Sequence, residues 1–250
     1  MASYLITGSS RGIGLSVVNN LASKPASEVS TIFAGARSET EALKKVIDGS
    51  SGRVVFLPLE ITSPESVKEA VENVEQSLGG KGLDVLVNMA GIAHTTPNGI
   101  ETMTDLNEHF NTNVVGTHNV TTAFLPLLRK GAQKKVINIS TTMASKQLSH
   151  VFKPQPTPAY KISKAALNML TVQYAESFTD EGFTFVAVCP GWVKTDMGTQ
   201  NANIEVHESA AGIVEIVQRI TTADSGKFVT VRVPGWEESA AGYNGGERPW

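Results

Sequence analysis

Seven short runs rich in β-branched and apolar residues punctuate the chain, and each gap between consecutive runs is long enough to hold a helix. They read SYLIT (3–7), STIFAG (30–35), RVVFLPL (53–59), LDVLVN (83–88), KVINIS (135–140), FTFVAVC (183–189) and KFVTV (227–231). Segments near 12–23, 39–49, 64–78, 105–129, 158–178 and 206–220 carry helix-compatible patterns, several of them opening on a Ser or Thr able to cap the first free N–H groups. Strands that are apolar on both faces must be covered on both, and helical crossovers between them do the covering. The pattern therefore predicts an α/β fold: a doubly wound, Rossmann-type, mostly parallel seven-stranded sheet with helices on each side.

No Pro/Gly/Ser linker divides the 250 residues, and 41% hydrophobic content suffices for one large core, so a single domain over 1–250 is expected. A formal charge of −3, with Lys and Arg neither in excess nor clustered, argues against nucleic acid or an anionic membrane as partner and leaves a small molecule as the default. Cys189 is the single cysteine, the first residues lack a charged leader, and no apolar run approaches the roughly 20 residues of a membrane span. The expectation is a cytoplasmic protein, with self-association left open.

In a sheet of this kind ligands bind beyond the carboxyl ends of the strands, which directs attention to the turn after the first one. It reads TGSSRGIG, placing Gly8, Ser10, Arg11, Gly12, Ile13 and Gly14 between a strand and a helix. Glycines there let the backbone approach a pyrophosphate, and the helix N-terminus supplies unpaired N–H donors. The second strand ends AGARS, with Ala36 and Arg37 where an acid would accept hydrogen bonds from a ribose 2′-hydroxyl. Guanidinium groups at Arg37 and Arg11 suit a 2′-phosphate instead, which favours NADP(H) over NAD(H). Farther along, AYKISKAAL puts Tyr160 and Lys164 four residues apart on one helix face, so a phenol and an ammonium can converge on one small volume.

Taken together these motifs resemble the short-chain dehydrogenase/reductase family over essentially the whole chain. TGSSRGIG is similar to its glycine motif, NMAG (88–91) to its Asn-Asn-Ala-Gly, NVVG (113–116) to its Asn motif, YKISK (160–164) to its Tyr-x-x-x-Lys, and PGWVKTDM (190–197) to its Pro-Gly motif after the sixth strand. Within the family, PGWVKTDMG, DSGKF and the terminal PW look most like the sniffer-type and C-signal carbonyl reductases and fungal enzymes similar to norsolorinic acid ketoreductase. The resemblance implies reduction of a ketone or aldehyde, with a proton from Tyr160, whose acidity Lys164 raises. It implies that Lys164 also binds the nicotinamide ribose and that Asn113 holds a water linking Lys164 to solvent. Glu60, Ile61, Asn88, Ala90, Gly91, Pro190, Val193 and Thr195 complete the implied cofactor contacts.

Three positions depart from the family pattern. Glu60 stands for the usual Asp, Met89 for the second Asn, and the catalytic hydroxyl falls on Thr141, with Ser140 as the alternative should the register slip by one. A Thr hydroxyl donates to a carbonyl oxygen as a Ser does. His94, Met143, Phe152, Trp192 and Met197 are candidate liners of an apolar or aromatic substrate pocket. Pro154, Pro156 and Pro158 suggest an extended, rigid insertion beside it, and 195–206 a lid without an apolar anchor. The five histidines show no metal-ligand spacing and no carboxylate cluster, so no metal is expected. Two other functions compete: a nucleotide-sensing or scaffold protein that has lost turnover, and a nucleotide-sugar epimerase, which would need more chain after the sixth strand.

Overall fold

A computed structural model describes residues 1–238 and 242–250. Seven strands, β1 (Ala2–Thr7), β2 (Val29–Ala36), β3 (Val54–Pro58), β4 (Val85–Asn88), β5 (Lys135–Ile139), β6 (Thr184–Cys189) and β7 (Phe228–Thr230), form one sheet in the order β3-β2-β1-β4-β5-β6-β7, with every pair parallel. Each strand lies inside its predicted run or within a residue of it. The order reverses between β1 and β4, and a crevice therefore opens outside the carboxyl ends of these two strands, beside Thr7 and Asn88.

Alternation along the strands divides the core into two layers. Ile6, Val87, Ile137 and Val186 point to one face, packed by Val17 and Leu21 of α1 (Gly12–Ala22) and by Ile213 and Ile216 of α7 (Val206–Arg219). Leu5, Leu86, Val136 and Phe185 point to the other, against Val67 and Val74 of α3 (Pro64–Leu78) and Phe124 and Leu128 of α5 (Thr117–Lys130). The remaining α-helices are α2 (Glu41–Gly49), α4 (Leu106–Phe110) and α6 (Pro158–Ser177). Thr40 and Ser63 accept the Leu43 and Ser66 N–H groups as N-caps of α2 and α3, as their sequence positions predict.

Where one helix is expected over 105–129, α4 and α5 are instead joined by a π-helical stretch, Asn111–Gly116. Insertions of this kind recur at functional positions. Gly116 allows this one: a Cβ there would stand 3.0 Å from the Ile61 side chain. The Pro-rich segment folds back as consecutive turns and is not extended, because the Lys161 ammonium donates to the carbonyls of Phe152 (2.5 Å) and Gln155 (2.7 Å). Segment 195–206 also differs from the expectation. Ala202 and Ile204 are buried, and Val193 pairs with Ile204 in a parallel bridge, so the segment is seated on the core by an apolar anchor.

Candidate active site

The glycine turn forms the floor of the crevice. Gly8 adopts φ +71°, and a Cβ on it would stand 2.9 Å from Ala90 Cα; a Cβ on Gly14 would stand 2.3 Å from the Gly8 carbonyl oxygen. Side chains at either position would spoil a cradle that the bare backbone leaves open, which is the shape a pyrophosphate requires. Thr7 closes the other wall, its hydroxyl accepting the N–H groups of Met89 and Ala90 at 3.0 Å each. Ser10 ties the turn to α2 through its carbonyl, which accepts the Thr40 hydroxyl at 2.8 Å. The Thr195 methyl group faces Gly12 across the cleft, while its hydroxyl accepts the Gly198 N–H at 3.0 Å.

Both arginines assigned to a 2′-phosphate hold carboxylates. Arg11 Nη1 lies 2.5 Å from Asp196 Oδ2, and Arg37 Nε lies 3.7 Å from Glu60 Oε2, all four side chains being at least one-third exposed. Exposed pairs of this sort contribute little and exchange readily for a more highly charged partner. Glu60 Oε1 also accepts the Thr62 N–H and hydroxyl, so this carboxylate shapes the turn after β3. Ile61 is buried against Gly116.

Asn88 does not present its amide nitrogen to the crevice. Both N–H groups are spent, on Thr121 Oγ1 at 3.0 Å and Asn138 Oδ1 at 2.9 Å, and Asn138 passes the chain on to Thr171. The side chain thus cross-links β4, β5, α5 and α6 beneath the site. Asn113, fully buried, is engaged in a similar way: Oδ1 accepts the Ile92 N–H (2.9 Å), while Nδ2 donates to the Ile92 carbonyl and the Ser163 hydroxyl (3.0 Å each). The carboxamide therefore clamps the loop after Gly91, with one lone pair of Oδ1 left to accept from a water.

Thr141 and Tyr160 meet at the carboxyl end of β5. The Thr141 hydroxyl sits beside the phenol, close enough to favour its ionised form, whereas Ser140 Oγ turns inward and donates to Asn168 Oδ1 at 2.5 Å. Burial pushes the phenol well above its ordinary range and neighbouring Cys189 adds to the rise, with the Thr141 hydroxyl opposing both. Lys164 is 5% exposed; its ammonium donates to the Ile139 carbonyl at 2.7 Å and lies 6.0 Å from the centre of the Tyr160 ring. Burial alone pushes it down to about 8. Its Nζ would be 3.4 Å from a Cβ on Gly91, so Gly91 is what opens the ammonium towards the crevice. A hydroxyl, a phenol and an ammonium in this arrangement can hold a carbonyl oxygen and protonate it.

On the far rim, Pro190 accepts the Ser209 hydroxyl through its carbonyl, and Trp192 Nε1 donates to the Gly198 carbonyl at 2.6 Å. Trp192 and Met197 are both exposed on this rim. The histidines do not all follow expectation. His94 and His109 stack edge to face at 5.0 Å beside Asp105, so a carboxylate does gather with two of them. The signal was present in Asp105 and His109 at i and i+4, the spacing that puts both on one helix face.

The profile of the short chain dehydrogenase family matches residues 3–205. A short-chain dehydrogenase/reductase of Aspergillus aculeatus, AacuF, is 37% identical over 203 residues, covering 77% of this chain and 74% of its own. The short chain dehydrogenase virK of Hypocrea virens is 33% identical over 207 residues, covering 78% and 75%. Among solved structures, an NADPH-bound carbonyl reductase from chicken fatty liver superimposes with a TM-score of 0.87 at 34% identity, covering 100% of this chain and 99% of that one. The carbonyl reductase Sniffer of Drosophila melanogaster gives 0.87 at 28% identity over the whole of both chains.

Proposed function

The chain belongs to the short chain dehydrogenases, and from that premise we propose that it is an NADP(H)-dependent reductase turning a ketone or aldehyde into an alcohol. The observation that carries the reading is the convergence of Thr141, Tyr160 and Lys164 at the end of β5, next to a glycine cradle that added Cβ atoms would fill. The NADPH bound to the chicken relative supports the choice of cofactor. In this chain Gly8–Gly14 would take the pyrophosphate, Arg37 the 2′-phosphate, Ala90 and Gly91 the middle of the dinucleotide, and Pro190, Val193 and Thr195 the nicotinamide end. When bound, that cofactor supplies a hydride. Thr141 holds the substrate oxygen through its hydroxyl, and Tyr160 delivers its phenolic proton to the same atom. Lys164 keeps a positive charge beside the phenol, which favours release of the proton. Asn113 fixes the Ile92 backbone and with it the wall formed by Gly91.

NADPH-oxidation assays against aldehydes, ketones, quinones and polycyclic aromatic ketones test the activity; no turnover of any of them contradicts it. The phosphate preference has its own check. Wild type is expected to bind NADPH at least tenfold more tightly than NADH, and Arg37→Ala to lose about tenfold for NADPH alone, since a charge-assisted contact is worth about 1.5 kcal/mol or more. Equal affinities in the wild type would remove the role given to Arg37.

The choice between the two hydroxyls is equally open to measurement. Thr141→Val should lower kcat by about 10²–10³, the usual cost of one donor to a developing oxyanion, while Thr141→Ser stays within a few-fold. Ser140→Ala strands Asn168 Oδ1 in the interior, so its effect should appear as a loss of about 1–3 kcal/mol in stability with kcat largely kept. The reverse pattern would assign the catalytic hydroxyl to Ser140.

A further inference from the structure

Beyond the cofactor crevice, the loop after Gly91 carries a second constellation. We propose that His94, Asp105 and Glu108 form a divalent-cation site of the zinc class, braced by His109. His94 Nδ1 lies 3.8 Å from Asp105 Oδ2 and 3.7 Å from Glu108 Oε2. Ligand atoms arranged tetrahedrally around zinc at about 2.0–2.2 Å stand about 3.4 Å from one another, so the two separations from His94 close with shifts of a few tenths of an ångström, and the Glu108 side chain, which is exposed, supplies the remaining movement. Asp105 and Glu108 lie three residues apart at the loop-to-helix entry of α4, and Asp105 shares a helix face with His109 at i and i+4.

Two further observations point to a ligand. The second oxygen of the Asp105 carboxylate, Oδ1, is buried and has no hydrogen-bond partner in the protein. A carboxylate oxygen withdrawn from water needs a cation or a donor, and none of the described side chains supplies one. His94 and Asp105 also line a cavity of about 390 Å³ with Thr96, Asn98 and Thr102, which leaves room for water at open coordination positions.

His109 serves the site without ligating. It is fully buried, and its Nε2 accepts the His94 backbone N–H at 3.1 Å, which assigns the ring proton to Nδ1. That proton points at Asp105, with Nδ1 2.9 Å from the backbone carbonyl and 3.3 Å from Oδ2. A ligating carboxylate held by a second-layer N–H is the arrangement that fixes ligand orientation in metal sites. One imidazole with two carboxylates suits zinc, whereas magnesium favours oxygen ligands and its own waters. The cation would link the loop after Gly91 to α4. The same loop is pinned to the Pro-rich segment by the Thr96 N–H donated to the Pro156 carbonyl at 2.6 Å. None of the carbonyl chemistry is assigned to the cation, and the site stands whether or not the reductase reading does.

Calorimetric titration of the chelator-treated whole chain with Zn²⁺, and separately with Mg²⁺, tests the site in wild type, His94→Ala and Glu108→Gln. Both substituted side chains are substantially exposed, and near-UV circular dichroism checks that the fold is kept. One Zn²⁺ per chain is expected, bound at least tenfold more weakly by each variant, with Mg²⁺ much weaker throughout. Absence of saturable Zn²⁺ binding, Mg²⁺ binding of equal affinity, or an affinity unchanged in either variant would overturn the proposal.

Discussion

Replacing Tyr160 with Phe is expected to lower kcat by about 10²–10⁴, the range for loss of a positioned general acid, with NADPH affinity within a few-fold of wild type. The substitution removes one oxygen and keeps the ring and its helix face, so packing is disturbed little. Thr141 still accepts the Met143 N–H at 3.2 Å. Burial raises the pKa of the phenol, so in the unliganded protein Tyr160 keeps its proton throughout the neutral range, which suits a donor in reduction. Steady-state kinetics at saturating NADPH, with a fluorescence titration of the cofactor, measures both halves. A variant that binds NADPH and reduces a true substrate at the wild-type rate would leave Tyr160 and Lys164 as a structural pair.

Much of this geometry was legible because it is local. Strand and helix periodicities depend on near neighbours, which is why all seven strands and the spacing of Tyr160 and Lys164 emerge from the chain alone. What the sequence hid depends on partners far along it. The amides of Asn88 and Asn113 read as cofactor and catalytic groups; their structural partners, Asn138, 50 residues from Asn88, and Ile92 and Ser163, 21 and 50 residues from Asn113, carry no local signal. Asn168, 28 residues on, accepts the Ser140 hydroxyl, a contact that the Ser140–Thr141 stretch alone does not signal. Proline spacing in 150–158 suggested extension, but one lysine, Lys161, gathers the segment into turns. His94 lies 15 residues from His109, and no periodicity connects a loop residue to a helix face.

Lys164→Met is expected to slow turnover and at the same time to stabilise the unliganded fold. Loss of the ammonium removes the charge beside the phenol, and kcat should fall on the order of 10²–10³, with weaker NADPH binding as the proposed ribose contact is lost. Stability moves the other way because burial holds the ammonium at about 8, against an ordinary 10.5. Below pH 8 the lysine is charged in both folded and unfolded chains, so the cost of burying that charge is fully present. Between about 8 and 10.5 the folded chain sheds the proton first and the cost declines; above 10.5 both states are neutral and it is gone. At 1.36 kcal/mol per unit, the shift corresponds to a penalty of about 3 kcal/mol at neutral pH, less the 2.7 Å hydrogen bond to Ile139 that methionine cannot make. The variant should therefore melt higher than wild type at pH 7, and the two should converge as pH approaches 10. A variant less stable than wild type at pH 7 would mean that Lys164 is held by contacts that offset its burial. In that case the ammonium would belong to the scaffold, and the cost of keeping a charge in the crevice could no longer be attributed to catalysis.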